Sequence, residues 1–480
     1  MKLVSFILAC FVVASAAEVI PRAEAAPAPR DHDKASLPWL SDPYPSTYTP
    51  LPRQDTLLVN ATVLDGAGRR FEHANLLMRN GKIVALSTTP ISVPAGTETI
   101  DAKGRWVTPG IIDVHSHDGA FAAPFTSLDL EESDVSETSR PATPDVWVEH
   151  SITVQDPSFA RALAGGVTTL QILPGSNNLI GGRSVIVKNV PATTVQAMKF
   201  PGAPYGLKMA CGESPKYAFG EKGKFPGSRM GNVAGVRDEF LEAAEYRQKW
   251  LDYLSGKRDK RPDDDLKEDT LVGVLNGDIR VHWHCYRADD MATLFDLAKE
   301  EGFHITAFHH AVEAYKIPQL FVANHTCAVV WSDWWGYKME ALDGIRENAA
   351  FVDAAGVCVA LHSDSPWLGQ RLTLEAGKAM ASGRRAGLKI SAEHAIQWVT
   401  LNSAKILGLD TQIGSLEPGK NADLVLWSGD PFSVYTKADQ VFIDGALVYD
   451  RNDPARRPRS DFELGEPSMS DKPAAVGDDQ

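Results

Sequence analysis

The sequence lacks three features that would assign it to common classes of protein. Its 480 residues carry a formal net charge of -14, so no positive excess is available to bind nucleic acid or an anionic membrane. No glycine-rich loop has the spacing that cradles a nucleotide phosphate, which disfavours an oxidoreductase or a nucleotide-dependent enzyme. No apolar run is long enough to cross a bilayer comfortably. We therefore expect a small-molecule partner, and neither nucleic acid nor, after export, a membrane.

Cysteine is scarce, with five in the chain. Cys10 falls within a predicted export signal, and the other four are Cys211, Cys285, Cys327 and Cys358. Three of these four lie in or beside apolar runs with strand character. A disulfide framework would place its cysteines in loops, so the sequence favours buried free thiols.

The first sixteen residues (1–16) have the layout of a secretory signal peptide. Lys2 precedes an apolar stretch, which is followed by the small-residue cleavage site Ala14-Ser15-Ala16. We therefore expect a secreted, extracellular protein. In a eukaryotic host the sequons at Asn60 and Asn324 would be glycosylation acceptors, which makes a glycoprotein.

Outside the signal, the two ends of the chain differ from its middle. Residues 17–52 are rich in Pro, Ala, Asp and Ser without a sustained period, which predicts a flexible leader, and the tail 451–480 has the same character. Segments 53–106 and 411–450 contain strand-like runs, including a hairpin across Asn80-Gly81. Neither set alone makes a stable sheet, so we expect both to join in one small β-sandwich domain.

The middle of the chain, 107–410, alternates apolar strands with helical patterns. Runs such as Gly166–Leu173 and Val357–His362 are apolar and rich in β-branched residues, and helical stretches such as Met291–Glu301 intervene. Short buried strands separated by helices indicate parallel β/α units and an α/β fold class. Several strands end in His or Asp, at the end of a barrel where active sites lie.

His115 and His117 are the clearest candidate site residues. They lie two apart on a strand, so both imidazoles face the same way. Two convergent imidazoles are typical of a zinc-type site. Their position at the end of an apolar strand, reached through Pro109-Gly110, favours metal binding over a chance pair.

Three segments resemble motifs of the amidohydrolase superfamily. Residues 109–117 (Pro-Gly-Ile-Ile-Asp-Val-His-Ser-His) resemble its first-strand motif, 165–169 resemble its second strand, and 413–425 resemble its return into the small β domain. The resemblance covers roughly Thr56 to Tyr449. It implies a TIM-like (β/α)₈ barrel inserted in the β-sandwich, and a metal-dependent hydrolase that cuts a C–N bond of a small molecule.

The same resemblance implies ligands at the ends of later strands. The fifth strand offers His284, with His282 as the alternative two residues earlier. The sixth offers His309 and His310, and adjacent residues face opposite ways, so only one of them can be the ligand. His310 fits the strand end better than His309. The eighth offers Asp364, which would bind metal and act as general base and then general acid.

A ligand that bridges two metals is also implied. Family members with two metals often use a lysine carboxylated by CO₂, and sometimes a glutamate. Lys208 resembles that lysine, and a buried lysine readily loses its proton, which carbamate formation requires. Glu213 is the competing residue, and a site with one metal is the alternative. We expect one or two divalent ions, with zinc as the default, and N6-carboxylation of Lys208.

Substrate contacts are predicted at three positions. Arg183 follows a loop rich in Gly and amide side chains, Arg287 comes three residues after His284, and Tyr315 follows the sixth strand. The pattern is most similar to imidazolonepropionase-like amidohydrolases, including secreted proteins labelled N-acetylglucosamine-6-phosphate-deacetylase-like. A deacetylase of N-acetylated amino sugars is therefore an alternative to other amides, cyclic amides and dipeptides.

A non-catalytic binding or scaffold protein on the same fold is the alternative from another class. Such a chain should lack several of the strand-end His and Asp residues, whereas this chain has a candidate at every expected place. The sequence leaves the oligomeric state open, a homo-oligomer included.

Overall fold

The computed structural model describes residues 37–124, 126–131 and 133–457. The predicted signal peptide (1–16), the first part of the leader and the tail from 458 onward therefore lie outside the described residues.

The described chain alternates strands and helices through its middle, with strands alone at both ends. In chain order the strands are β1 (Thr56–Leu64), β2 (Arg70–Arg79), β3 (Lys82–Ser87), β4 (Glu98–Asp101), β5 (Trp106–Pro109), β6 (Ile111–Ser116), β7 (Val167–Ile172), β8 (Ile180–Lys188), β9 (Gly206–Ala210), β10 (Arg280–Cys285), β11 (Ile305–His310), β12 (Cys327–Val330), β13 (Val359–Leu361), β14 (Leu424–Trp427), β15 (Ala438–Ile443) and β16 (Ala446–Asp450).

Helices cover the outside of the central strands. In chain order they are α1 (Ser127–Glu131), α2 (Pro157–Ala164), α3 (Val195–Met198), α4 (Glu213–Gly220), α5 (Arg229–Leu254), α6 (Leu266–Asn276), α7 (Ala288–Glu301), α8 (Pro318–Ala323), α9 (Asn348–Ala354), α10 (Leu372–Arg385), α11 (Ala392–Ala395) and α12 (Leu401–Leu407). Among the residues that the structure describes, no helix has both the length and the apolarity to cross a membrane.

Strands β6 to β13 form one eight-stranded sheet in chain order, which curls into a nearly closed barrel. Neighbours pair in parallel except at β8, which runs antiparallel to both β7 and β9. The prediction of parallel β/α units is confirmed for the other seven strands. It is wrong for β8, because the short connection 173–179 can only return the chain in the opposite direction, whereas a parallel crossover needs a dozen or more residues.

Hydrogen bonds near the carboxyl ends of β6 and β13 bridge the two edges of the barrel sheet. The backbone N–H of Asp364 donates to the carbonyl oxygen of His115, 2.9 Å away. The hydroxyl of Ser363 donates to the carboxylate of Asp113. That carboxylate also accepts the backbone N–H of Ser363 and of His115, each at 3.2 Å. These bonds hold the first and last strands of the barrel together at its mouth.

Both chain ends contribute strands to one β domain, which is a second eight-stranded sheet where the sequence predicts a β-sandwich. Its order is β16-β15-β14-β5-β1-β2-β3, and β4 pairs with the first half of β1 while β5 pairs with the second half. The hydrogen bonds thus form one branched sheet. The predicted hairpin is confirmed, because β2 pairs with β3 across Asn80 and Gly81, which have the positive φ values of 51° and 77° that a tight hairpin turn requires.

The last part of the predicted leader packs along the barrel. Trp39 is buried edge-on against Trp250, with ring centroids 5.7 Å apart. Asp42 pairs with Lys199 at 3.0 Å. The prediction of a flexible segment is therefore wrong for residues 37–52, because a few aromatic side chains bury enough apolar surface to hold a segment that is otherwise rich in proline.

Two disulfides are present where we predicted free thiols. Cys211 is bonded to Cys285, and Cys327 to Cys358, with Cα atoms 5.3 and 4.6 Å apart. The prediction is wrong because each pair lies on neighbouring strands, whose separation of about 4.8 Å falls within the span of a disulfide. Strand cysteines can therefore be bonded without loops.

A buried ion cluster joins the barrel to the β domain. Lys188 ends β8, and its Nζ lies 2.9 Å from Asp444 and 3.5 Å from Asp423. The hydroxyl of Tyr48 donates to Asp444 at 2.6 Å. The leader, the barrel and the β domain therefore meet at a single group of charges.

Replacing Lys188 with methionine should destabilise the protein. Lys188→Met leaves Asp423 and Asp444 buried without their cation, and removing one partner of a buried pair lowers the free energy of unfolding by about 3–5 kcal/mol. Chemical denaturation measures the change. The exposed Lys389 provides the control, and Lys389→Met should behave as the wild type. Equal stability of the two variants would contradict this account of the domain junction.

The disulfides can be tested by alkylation. In protein denatured without reductant, Cys211, Cys285, Cys327 and Cys358 should stay unmodified by iodoacetamide, because all four sulfurs are bonded. After reduction, all four should react, and peptide mass spectrometry measures both states. Modification before reduction would instead support the free thiols that the sequence suggests.

Candidate metal centre

The candidate site lies where the barrel strands end. Strand β6 delivers His115 and His117, β9 carries Lys208, and β10 and β11 end near His284 and His310. Parallel strands bring their carboxyl ends to one face of a barrel, so these side chains meet although they are far apart in sequence.

His115, His117 and Asp364 form the tightest group. One carboxylate oxygen of Asp364 lies 3.1 Å from Nε2 of each histidine, and the two Nε2 atoms are 3.3 Å apart. Both histidines are buried, while the Asp364 side chain is 24% exposed. The three ligand atoms lie within 4.8 Å of one another, which is close enough to share one metal ion.

A second group contains a histidine that we did not predict. His115, His310 and His362 also present ligand nitrogens within 4.8 Å of one another, and all three side chains are buried. Both ring nitrogens of His362 and Nδ1 of His310 have no hydrogen-bond partner among the described residues. The sequence held a signal for His362, because it stands two residues before Asp364, the spacing that made us choose His115 and His117.

Lys208 lies beside His115, as a bridging residue would require. Its Nζ is 3.2 Å from Nε2 of His115 and donates to the carbonyl oxygen of Pro174 at 3.0 Å. Burial lowers the pKa of Lys208 to about 8, although the charge of Asp364 opposes the shift. The alternative, Glu213, lies on α4, where its backbone N–H donates to Glu340. The structure therefore brings Lys208, and not Glu213, to His115.

The two alternatives on β10 and β11 lie in different layers. His284 faces His310 across 4.4 Å between ring centroids, and its Nδ1 is 2.7 Å from the hydroxyl of Ser176. His282 and His309 contact each other instead, with Nδ1 of His282 2.9 Å from Nε2 of His309. The strand-end residues His284 and His310 therefore lie together, while the earlier residue of each strand is turned to a second buried layer.

The electrostatics of the site favour an ionised Asp364 and the neutral forms of His284 and His362. Burial alone would raise the pKa of Asp364, but His310 and His117 outweigh it and hold that pKa well below its usual range. Burial lowers the pKa of His284 to about 4 and that of His362 to about 3. Neutral imidazoles with free lone pairs are the form of histidine that binds a metal.

Two of the site residues have an unusual backbone. His310 and Asp364 adopt left-handed φ values of 69° and 54°. Such conformations cost about 1–3 kcal/mol for a residue other than glycine, and they cluster at functional sites where the surroundings hold them in place. Here they turn the two side chains at the points where β11 and β13 end.

Aromatic rings enclose one side of the site. His310 contacts both Tyr286, with ring centroids 5.0 Å apart, and Trp331, with ring centroids 4.4 Å apart, and these two rings are themselves 6.1 Å apart. The hydroxyl of Tyr286 is hydrogen bonded to that of Tyr337. No pattern in the sequence singles out Tyr286, since a lone aromatic residue after a strand is usually part of the core.

The three predicted substrate contacts lie in different places. Arg183 is buried in β8 beneath the ring of Trp147, and its Nε donates to Thr270 at 2.8 Å. The hydroxyl of Tyr315 donates to a backbone carbonyl on the surface. Arg183 and Tyr315 thus have their contacts outside the histidine cluster, because a residue in a strand or just after it need not face the mouth of the barrel.

Arg287 lies at a cavity next to the cluster. This cavity of about 260 Å³ is lined by acidic and basic side chains, among them Glu213, Lys216, Arg229 and Glu340. Glu340 is buried, and its carboxylate lies 3.9 Å from Nε2 of His284. The cavity therefore adjoins the histidines through Glu340, a residue that the sequence analysis overlooked.

Comparison with known proteins gives concordant results. The family model described as the amidohydrolase family matches residues 274–450. Amidohydrolase tasK of Hapsidospora irregularis is 30% identical over 466 residues, which cover 92% of this chain but 45% of that longer protein. An imidazolonepropionase of Rhizorhabdus wittichii is 24% identical over 367 residues, which cover 70% of this chain and 83% of the relative.

A solved structure extends these likenesses to the fold. The crystal structure of an amidohydrolase from Thermotoga maritima superposes with a TM-score of 0.76 at 36% identity. The match covers 82% of this chain and 100% of the other. Because the relative is matched along its full length at this identity, the chain belongs to the amidohydrolase family, whose members are hydrolases that act on carbon–nitrogen bonds.

Proposed function

We propose that the chain is a secreted, metal-dependent amidohydrolase that hydrolyses an amide, cyclic amide or N-acyl bond of a small molecule. The observation that carries the proposal is the convergence of His115, His117 and Asp364 within 4.8 Å, with the buried amine of Lys208 beside them. A non-catalytic scaffold would have no need to maintain such a group in its interior.

The residues present fit a divalent metal. Imidazole nitrogens and a carboxylate oxygen are the donors that zinc and similar ions prefer. Nitrogens of His284, His310 and His362 are buried without a hydrogen-bond partner among the described residues. Each such atom costs about 1–3 kcal/mol unless something satisfies it, and a metal would accept those lone pairs.

The proposed assignment combines the group of His115, His117 and Asp364 with the two strand-end histidines His284 and His310. His115, His117 and Asp364 would hold one ion, while His284 and His310 would hold a second, with a carboxylated Lys208 between them. We add His362 as a further ligand, because it groups with His115 and His310. A divalent metal, with zinc as the default, supplies a Lewis acid for the scissile carbonyl and makes water a stronger nucleophile at neutral pH.

Asp364 is the proposed proton carrier. Its low pKa keeps it ionised, so it can accept a proton from the attacking water at Oδ1 or Oδ2. It can then deliver that proton to the leaving nitrogen, which would otherwise depart as an unstable anion. Its partial exposure leaves room for a substrate above it, and Tyr286 and Trp331 exclude water from the side of His310.

The adjoining cavity favours a substrate with polar or charged groups next to the scissile bond. Arg287 remains the proposed substrate contact, since it lines this cavity together with Lys216 and Glu340. The similarity to imidazolonepropionases supports a small polar substrate.

Secretion has support from two observations. Disulfides persist in oxidising compartments, and the chain has two among its described residues. Asn60 is exposed, as a glycosylation acceptor must be. By contrast, the amide nitrogen of Asn324 donates to a backbone carbonyl at 2.8 Å, so Asn60 is the better acceptor of the two sequons.

Metal content should depend on His115 and on Lys208. Purified wild-type protein should contain zinc or another divalent ion, and His115→Ala should lose most of it, because His115 belongs to both ligand groups. Lys208→Ala removes the bridge and should lower the content from about two ions per chain to about one. Elemental analysis measures each protein.

Lys389→Ala is the matched surface control and should keep the wild-type content. An unchanged metal content in Lys208→Ala would contradict the bridging role alone. A wild type that stays free of metal after refolding with zinc would overturn the proposed function.

Asp364→Asn should abolish most of the activity without unfolding the protein. The amide cannot accept the water proton, so kcat should fall by about 10²–10⁴-fold. The measurement is hydrolysis of a panel of N-acyl amino acids, dipeptides, cyclic amides and N-acetylated amino sugars. Asp238→Asn, on the exposed face of α5, is the control. Wild-type turnover by Asp364→Asn would remove Asp364 from the mechanism.

A further inference from the structure

The candidate metal ligands His115 and His117 differ in the hydrogen-bond partner of Nδ1, the ring nitrogen that faces away from the proposed metal. Nδ1 of His117 donates to the backbone carbonyl of Leu173 at 2.7 Å. A carbonyl can only accept, so this contact fixes the proton of His117 on Nδ1 and leaves Nε2 free. Nδ1 of His115 instead lies 2.9 Å from Nδ1 of another imidazole, His309. An imidazole nitrogen can donate or accept, so this contact alone does not fix the proton of His115.

The contact to His309 is the first link of a longer chain. Nε2 of His309 lies 2.9 Å from Nδ1 of His282, and Nε2 of His282 lies 3.0 Å from the side-chain amide of Gln171. That amide also contacts the hydroxyl of Ser184 at 3.0 Å. All of these side chains are buried, so the chain runs through the barrel interior from His115 to Ser184. The mechanism proposed above uses none of its members beyond His115.

A neutral imidazole has one N–H and one lone pair, so each link determines the next. If Nε2 of His115 faces a metal, its proton is on Nδ1 and His309 must accept it. His309 then donates from Nε2 to His282, which donates from its own Nε2 to Gln171. In the structure the amide nitrogen of Gln171 faces His282, so in this order the amide turns over and presents its carbonyl oxygen. The exchange is possible because the two ends of an amide have the same shape. In the opposite order the proton of His115 is on Nε2 and points at Asp364, 3.1 Å away.

We propose that His309, His282 and Gln171 are positioning residues. Metal binding at Nε2 of His115 sets the direction of this buried hydrogen-bond chain, and the three residues then hold His115 in the tautomer that has its proton on Nδ1. The inference rests on the metal centre of the proposed function. It assigns a role to the two histidines that precede His284 and His310 on their strands, and it makes Gln171 the terminal acceptor.

The hydrogen-bond chain from His115 to Gln171 should therefore affect the affinity of the site for metal. Removing a partner that orients a metal-binding histidine typically weakens metal binding about 10–100-fold, because the hydrogen bond that holds the ring and its tautomer is lost. A loss of that size would occur although His309 is not itself a ligand in this assignment.

The test compares two replacements of His309 by their zinc affinity, measured in competition with a chromophoric chelator. His309→Phe keeps the ring volume but removes both hydrogen bonds, and should weaken zinc binding about 10–100-fold. His309→Gln has a carbonyl to accept from His115 and an amide to donate to His282, and should recover most of that loss. A residue that only filled space would give the reverse order, because phenylalanine is the better match in shape.

Two further measurements complete the test. His304→Phe and His304→Gln, at an exposed histidine, should both bind zinc as the wild type does. If His309→Phe fails to fold, His282→Phe and His282→Gln provide the same comparison one link further on. In ¹⁵N-histidine spectra of the wild type, adding zinc should exchange the protonated nitrogen of His309 and of His282.

The outcomes separate this inference from the function on which it rests. Zinc binding by the wild type, with equal affinity in the Phe and Gln variants, would overturn the positioning role and leave the metal centre in place. Unchanged tautomers of His309 and His282 on zinc addition would also overturn it. A wild type that binds no zinc would overturn both.

Discussion

In the mouth of the barrel, Nε2 of His115 lies 3.1 Å from the carboxylate of Asp364 and 3.2 Å from the amine of Lys208. His115 and Lys208 are buried, and Asp364 is largely covered. Charges taken out of water in this way are stable only when they are paired or neutralised. Much of the site can be understood as a response to that constraint. Burial lowers the pKa values of His284, His362 and Lys208, while His310 and His117 lower the pKa of Asp364 and so favour its anion.

The same constraint accounts for the rigidity of the surroundings. Asp113, the residue two before His115, accepts three hydrogen bonds from β6 and from the segment after β13. It thereby positions His115 and Asp364 relative to each other, across the two edges of the barrel sheet. Tyr286 and Trp331 both pack against the ring of His310. Ligand atoms with little freedom to move lose little entropy when an ion binds, which favours binding.

The sequence predicted the parts of the site that depend on local geometry. His115 and His117 share a strand face, so their spacing and position were sufficient to select them. Asp364 was selected because the family resemblance implies an aspartate after the eighth strand. The hairpin at Asn80-Gly81 followed from local turn chemistry. The choice of His310 over His309 came from the alternation of strand faces, and the structure places the two side chains in different layers.

What the sequence did not predict depends on contacts between distant segments. The disulfide of Cys211 with Cys285 requires two strands to be neighbours, and the role of Glu340 requires its loop to fold back onto His284. The reversal of β8 follows from the short connection between β7 and β8, whose length excludes a parallel crossover. Arg183 is a basic residue near the right strand, but only the packed barrel shows that it is covered by Trp147. Such pairings are fixed by the tertiary fold, which local patterns do not encode.

The branched sheet at the chain ends has a consequence for biosynthesis. Strand β5 pairs with β14, so the sheet joins a strand synthesised before the barrel to a strand synthesised after it. While the ribosome is still producing the barrel, β1 and β5 have apolar residues such as Leu58 and Val107 ready for a core that is not complete. Unpaired strand edges of this kind are prone to aggregate, so nascent chains of this protein should depend on chaperones until β14 emerges. Because β5 precedes the barrel and β14 follows it, these two strands can pair only when the ends of the barrel segment lie close together.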